Sequence, residues 1–233
     1  MWLAELTWPE VAERAAGGAL LAVPMGSTEQ HGPHLPLSTD ADIAMALCER
    51  LAAELPDVLI APLVPYGSSG EHAGFAGTLS IGQDATEHLA LELGRSAAET
   101  FSRLLFVSGH GGNAEPLGRA VARLQAESRD VVLFQPDWEN GDAHAGREET
   151  AMLLALRPAI VRVELSAPGE RRPLAEIMPR LRAEGVRAVS PSGVLGDPTK
   201  ATAVAGAQLL NELGGALVRY VEAWLGRYAG ARR

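Results

Sequence analysis

Four side chains able to bind a proton or a metal ion stand within Glu29-Gln30-His31-Gly32-Pro33-His34-Leu35-Pro36-Leu37-Ser38-Thr39-Asp40: the carboxylates of Glu29 and Asp40 and the imidazoles of His31 and His34. Carboxylate with neutral imidazole is a ligand set suited to zinc, manganese or iron(II). Glu29 and His31, two apart, project in related directions while the chain is extended, and Asp40 returns after a stiff Gly-Pro-His-Leu-Pro excursion. Each residue also has an ordinary reading. Asp40 stands just before the run from Ala41 to Leu47 and could cap a helix there, as could Ser38 or Thr39. A second candidate is Gly109-His110-Gly111-Gly112-Asn113, whose glycines let backbone approach a ligand closely. Its spacing fits neither G-x-G-x-x-G nor a P-loop with its lysine, which weighs against a phosphate cradle.

Such residues need a frame to bring them together. The run Ala19 to Met25 reads as a buried strand, and the glycine and prolines that follow forbid a continuous helix, so Glu29 to Asp40 is a shaped loop at a strand's end. Ile43, Leu47, Leu51 and Leu55 recur every four residues and mark a helix over Ala41 to Leu55, stopped by Pro56. Val58 to Val64 reads as a second strand, followed by a small-residue loop from Gly67 to Gly77 and a helix near 84 to 101. Arg103 to Ser108 is a third strand, turning through Gly109–Asn113 into a helix striped with Leu117, Val121 and Leu124. Val131 to Phe134 is a fourth, His144 to Leu156 another helix, and Ile160 to Val163 a short strand. The last helix carries Leu210, Leu213, Leu217, Val221 and Trp224 for core or subunit contact, and Thr7 with Pro9 opens a short first helix.

Strands alternating with helices imply an α/β fold: three layers, αβα, with a mainly parallel sheet, in one domain over residues 1–233. Sites in such sheets form beyond the carboxyl ends of the strands. The Glu29 loop, the Gly67 to Gly77 loop, the His110 turn and the Trp138 to Glu149 segment each follow an expected strand, so all four can meet at one rim.

Composition narrows the functions. A net charge of −9, with Lys200 the only lysine, argues against nucleic acid as a partner and against Schiff-base chemistry. No apolar run approaches a bilayer span, and Met1 to Leu6 lacks the basic start and apolar core of a secretory signal, so a cytoplasmic enzyme without membrane contact is expected. Cys48, the only cysteine, reads as a buried small apolar group, Arg171-Arg172 as a solvated turn and His88 as surface.

The motifs resemble the creatininase family of metal-dependent amidohydrolases. Glu29 to Pro36 followed by Asp40, then Gly70-Glu71-His72-Ala73-Gly74-Phe75-Ala76-Gly77-Thr78-Leu79-Ser80, Gly109 to Asn113, His144-Ala145-Gly146-Arg147-Glu148-Glu149-Thr150, and Gly193 to Thr199 stand in the family's order. The resemblance implies a creatininase-like fold, a homo-oligomer and two divalent metal ions per subunit (zinc, iron(II) or manganese). Glu29, Asp40 and His110 would hold one ion, and His31 with Asp40 the other, Asp40 bridging. The family pattern has a glutamate two residues after the histidine that corresponds to His110. Gly112 stands there, which weighs against creatinine as substrate, and Glu149 is the candidate for the missing carboxylate, with Glu148 a solvated helix charge.

Two ions sharing a carboxylate would generate hydroxide from a bridging water and polarise an amide carbonyl. His144 is the candidate acid for the leaving nitrogen, or orients the intermediate, with Glu149 beside it. Glu71 and His72 would form a substrate wall with Gly111 and Gly112, Phe75 and Trp138 would cover the pocket, and His34 would hydrogen-bond a metal ligand. Within the family the Gly70 to Gly82 loop and Gly112 look most like the mycofactocin-system peptidases, which release a C-terminal Val-Tyr dipeptide from a radical-modified precursor peptide. The alternatives are hydrolysis of a small cyclic amide or formamide, and a metal- or ligand-binding module without turnover.

Overall fold

The computed structural model describes residues 1–136 and 141–229. Helix α1 (Trp8–Ala16) begins after Thr7, whose N–H donates to the Glu10 carboxylate at 2.7 Å, with Pro9 in its first turn. Three strand–helix units follow: β1 (Leu20–Met25) with α2 (Thr39–Glu54), β2 (Val58–Ile60) with α3 (Gly82–Ala97), and β3 (Leu104–Ser108) with α4 (Ala114–Ala126). Then come β4 (Val131–Phe134), α5 (Arg147–Leu156), α6 (Leu174–Glu184), α7 (Val186–Val189) and α8 (Ala203–Ala229). The strands are all parallel in the order β2-β1-β3-β4, with Leu20 opposite Val58, Val23 opposite Phe106 and Leu105 opposite Val132.

Successive strand side chains point to opposite faces, and β1 is buried on both. Leu20 and Ala22 pack with Leu47 of α2, Met152 of α5 and Leu217 and Trp224 of α8. Leu21, Val23 and Met25 pack on the other face with Leu91 of α3 and Leu117 and Leu124 of α4. This is the expected αβα sandwich, and it explains why β1 and β3 read as continuous apolar runs. The α8 stripe serves the core: Leu217 and Trp224 are buried in it and Leu213 packs against it. Cys48 is fully buried in the same cluster, and burial pushes its thiol pKa up, so it is an inert apolar group. Among the described residues no helix is long and apolar enough to cross a membrane.

Three elements differ from their sequence signals. β2 ends at Ile60 because Pro62 cannot continue a ladder, leaving only an isolated bridge between Met25 and Val64. Ile160 to Val163 is no strand: it lies between 3-10 turns at Pro158–Ile160 and Val163–Leu165, and the Arg162 N–H donates to His34 O at 2.8 Å. Patterning gives no sign of α6, which contains Pro179. With α7 and Leu195 it forms a small separate cluster around Ile177, Leu181 and Val186.

The strand order locates the site. From β1 the chain crosses to β2 on one side, and from β3 to β4 on the other. The connections therefore diverge at the carboxyl ends of β1 and β3, where open α/β sheets leave a crevice.

Candidate metal centre

The loops after β1 and β3 both enter this crevice, and α2 starts against it. A Cβ on Gly109 would lie 2.2 Å from Asp40 O, so glycine there lets the first turn of α2 sit on the end of β3. Asp40 lies in that turn, and its carboxylate stands between two imidazoles, Oδ1 at 3.0 Å from His31 Nε2 and Oδ2 at 3.0 Å from His110 Nδ1. Ser27 Oγ donates to Oδ2 at 2.6 Å. Asp40 is thus no helix cap; Ser38 occupies that position, without a side-chain capping bond.

Glu29 is fully buried, yet neither of its carboxylate oxygens has a hydrogen-bond partner. Oε2 lies 3.3 Å from His110 Nε2, and Oε1 lies 3.3 Å from His72 Nε2, 3.8 Å from His144 Nδ1 and 4.0 Å from His31 Nε2. Glu149 comes from the first turn of α5; its Oε2 accepts the Ala145 N–H at 2.5 Å and stands 3.9 Å from His31 Nε2. Three overlapping triads have ligand atoms close enough to share an ion: Glu29, His31 and Asp40; His31, His144 and Glu149; Glu29, His72 and His144. A buried carboxylate without donors is expensive to hold ionised, and nitrogen and oxygen donors converging on it are what a divalent cation requires. The residues fit a metal centre.

The electrostatics agree. Burial raises Glu29 and Glu149 to about 7. Burial alone would depress His31 and His110, but Asp40 and the neighbouring glutamates outweigh it and raise both to about 10. Asp40 is held well below the usual carboxylate range, because the attraction of His31 and His110 overcomes its desolvation. The metal-free cluster therefore keeps protons where ions would supply positive charge.

Gln30 organises two further imidazoles. Its Nε2 donates to His72 Nδ1 at 2.8 Å and to Gly193 O at 3.2 Å, while its backbone O accepts from His144 Nε2 at 2.8 Å. In this arrangement His72 turns an N–H towards Glu29 and His144 turns a bare Nδ1 towards it. Both rings are driven to the neutral form by burial and by His31, His72 to about 3 and His144 well below the ordinary histidine value. The two rings pack tilted at a centroid distance of 4.4 Å, and His144 lies likewise 4.3 Å from His31.

The structure thus gathers Glu29, His31, Asp40, His110, His144 and Glu149 around one point, and brings His72 closer to it than a substrate wall would stand. Glu71 is half-exposed at the edge, Oε1 at 3.9 Å from His110 Nε2 and 4.0 Å from His72 Nε2. A Cβ on Gly112 would fall 2.2 Å from Ser68 O and 2.6 Å from Glu71 Oε1, so backbone and the Glu71 carboxylate fill the space a side chain there would need. Gly111 lines the cleft beside it. Phe75 lies elsewhere, in a shallow depression with Gln30 and Leu37, where it packs on the α6–α7 cluster. Trp138 falls outside the described residues. His34 reaches Thr150 Oγ1 at 2.8 Å, beside Glu149, and touches no ligand candidate directly. Glu148 is not a solvated charge: it is 7% exposed, pairs with Arg147 at 2.7 Å and accepts the Asp142 N–H at 3.0 Å. Sequence reading missed Ser27 and Gln30; the place of Gln30 between two ligand candidates was its one signal.

The cluster forms the floor of a cleft of about 880 Å³, walled by the Gly70–Ala73 turn, the Gly109–Gly112 turn, Gln135 and Pro136, and α6. The family model described as creatininase, creatinine amidohydrolase, matches residues 4–221. The chain belongs to the creatininase family. Membership makes it an amide hydrolase. It is 47% identical over 226 residues to the mycofactocin precursor peptide peptidase of Mycobacterium ulcerans, covering 94% of this chain and 86% of that protein. The creatinine amidohydrolase of Pseudomonas putida is 31% identical over 195 residues, 69% of this chain and 74% of that one. A crystal structure of creatinine amidohydrolase superposes with TM-score 0.81 at 25% identity, over 94% of this chain and 96% of that chain. Solved creatininases include a Zn–Zn type and a manganese form.

Proposed function

We propose that this creatininase-family protein is a metal-dependent peptidase that releases a C-terminal Val-Tyr dipeptide from a modified mycofactocin precursor peptide. The observation that carries the reading is the cleft: it runs open from the buried cluster to α6, with room for an extended chain rather than for a small ring alone. The likeness to precursor peptide peptidases, at 47% identity over nearly the whole chain, supports the same substrate. The 31% identity to a creatinine amidohydrolase leaves opening of a small cyclic amide or formamide as the second reading.

Glu29, Asp40 and His110 would hold one divalent ion, and His31, Asp40 and Glu149 the other, zinc, iron(II) and manganese all suiting these donors. Bound there, the ions supply Lewis-acid polarisation and lower the pKa of water. The chain's own residues do the rest. His144 is held by Gln30 O through Nε2, so Nδ1 faces the reacting centre and can take a proton and return it to the leaving amine. Glu149, with one oxygen tied to the Ala145 N–H, keeps its place beside His31. His72 offers an N–H, and Glu71 with the Gly111–Gly112 backbone forms the wall along which the peptide lies. The enzyme works in the cytoplasm as a homo-oligomer.

Incubation of the metal-loaded protein with a modified precursor peptide ending in Val-Tyr, beside creatinine and a formamide, tests the reading by mass spectrometry. Val-Tyr release that chelation abolishes supports it. An intact peptide with an opened small amide moves the assignment to the second reading.

A further inference from the structure

His144 and Glu149 reach the centre from the two ends of one short turn, and that turn holds an unfavourable backbone. Ala145 is fully buried with φ at 52°, a left-handed conformation that a residue with a Cβ resists. In that conformation its N–H donates to Glu149 Oε2 at 2.5 Å. Strain of this kind persists only where the surroundings over-determine it.

Asp142 supplies those surroundings. Its Oδ2 accepts the Arg147 N–H at 2.8 Å, across the turn, and the Asp197 N–H at 2.9 Å, from a separate segment of chain. Its own N–H donates to Glu148 Oε2 at 3.0 Å, so the two ends of the turn hold each other reciprocally, in the manner of a capping box. The segment that carries Asp197 is bound to the same turn: the Ala143 and His144 N–H groups donate to Leu195 O at 3.0 and 3.2 Å, and the Leu195 N–H donates to His144 O at 2.8 Å. Two glycines make room for the carboxylate. A Cβ on Gly146 would lie 2.1 Å from Asp142 Cβ, and one on Gly196 would lie 2.2 Å from its Cγ. Asp142 itself belongs to none of the three ligand triads. If Ala145 relaxed to negative φ, its N–H would swing away from Glu149, and His144 would turn with the same peptide.

We propose that Asp142 is a positioning residue that holds the His144 to Glu149 turn in its strained form, so that the imidazole and the carboxylate are presented to the centre together. This rests on the roles given to His144 and Glu149 above and adds the residue that couples them.

The test titrates the full chain with zinc and follows amide hydrogen exchange over Ala143 to Glu149. The ion position made by Glu29, Asp40 and His110 takes nothing from the turn, so its affinity reports an intact fold. At the other position Asp142→Ala should weaken zinc on the order of 10-fold or more, the usual cost of losing a partner that orients a ligand. Exchange in the turn should rise with it. Asp142→Asn, whose amide oxygen can accept the same two N–H groups, should stay close to wild type in both readouts. In an Ala145→Gly background the loss caused by Asp142→Ala should shrink, because glycine adopts positive φ without strain and needs the clamp less. On a modified precursor peptide ending in Val-Tyr, kcat should follow the same order with KM unchanged.

Unchanged exchange in Asp142→Ala overturns the proposal, as does a loss in Asp142→Asn equal to that in Asp142→Ala, or one that Ala145→Gly leaves undiminished. If Asp142→Ala loses both ions together it has not folded, and Gly146→Ala, whose new Cβ displaces the same side chain, decides by the same readouts. The proposals fail separately. Faster exchange with unchanged zinc affinity and kcat keeps the clamp and sinks the roles of His144 and Glu149, whereas a wild type that binds two ions and leaves the peptide whole sinks the peptidase reading alone.

Discussion

Loading the centre with metal should expel protons, and their number follows from the cluster's geometry. In the metal-free protein, Asp40 oxygens 3.0 Å from His31 Nε2 and from His110 Nδ1, with Glu29 nearby, raise both imidazoles to about 10 against their burial. Imidazole binds a metal only when that nitrogen is bare. At pH 8 both rings are protonated without metal, while Glu29 and Glu149, near 7, are mostly ionised. Filling both positions then releases about two protons, and the logarithm of the overall affinity rises by about two per pH unit. Below pH 7 the two glutamates join, and the slope steepens towards about four. The sign is fixed: the metal-free form holds more protons than the loaded one, so affinity grows with pH. Unperturbed histidines near 6.5 would instead give almost no slope above pH 8. Calorimetric titration of zinc or manganese in buffers of different ionisation enthalpy counts the protons directly. Release of less than about half a proton per ion at pH 8 refutes the reasoning.

Three further outcomes are expected. The chelated protein should lose stability as pH rises above about 6.5: the raised pKa values of His31 and His110 stabilise it fully below 6.5 and cease to do so through about 10, and those of Glu29 and Glu149 finish their loss near 7, whereas below 6.5 the lowered values of His34, His72 and His144 work in the opposite sense; thermal melts that are flat from pH 7 to 10 contradict this. Gly112→Ala should cost about 1–3 kcal/mol by overpacking against Ser68 O, 2.2 Å from the new Cβ, as read by denaturant unfolding. Gln30→Leu should keep both metals and lower kcat on the order of ten-fold or more, because His72 loses the side-chain partner that orders its tautomer while His144 keeps the backbone carbonyl; unchanged kcat removes the Gln30 side chain from the site.

The buried carboxylate and imidazole cluster, the candidate metal centre, was legible in large part because it is local. Glu29, His31 and Asp40 lie on one loop after β1, and His110 follows β3 directly, so a reading of strand ends in an α/β chain already brings them together. Glu149 required the family motif, since spacing alone does not separate it from Glu148; the structure separates them by what each carboxylate meets, His31 for one and Arg147 for the other. Gln30 was invisible for a different reason. An amide carries no charge to mark it, and its function depends on Gly193 and His144, more than a hundred positions away along the chain.

The substrate half was not legible, and the cause is again physical. Its wall is α6, whose interior Pro179 breaks the periodic signal and whose Leu174 and Met178 stripe would pass for the apolar face of a core helix. α6 contributes little to the main core; it packs on α7, Leu195 and Phe75 at the open end of the sheet. Elements so placed are free to vary without disturbing the β1–β3 crevice, whose glycines and buried carboxylates leave no such freedom. Substitutions along the cleft-facing side of α6 should therefore alter what the cleft admits while leaving the buried cluster in place.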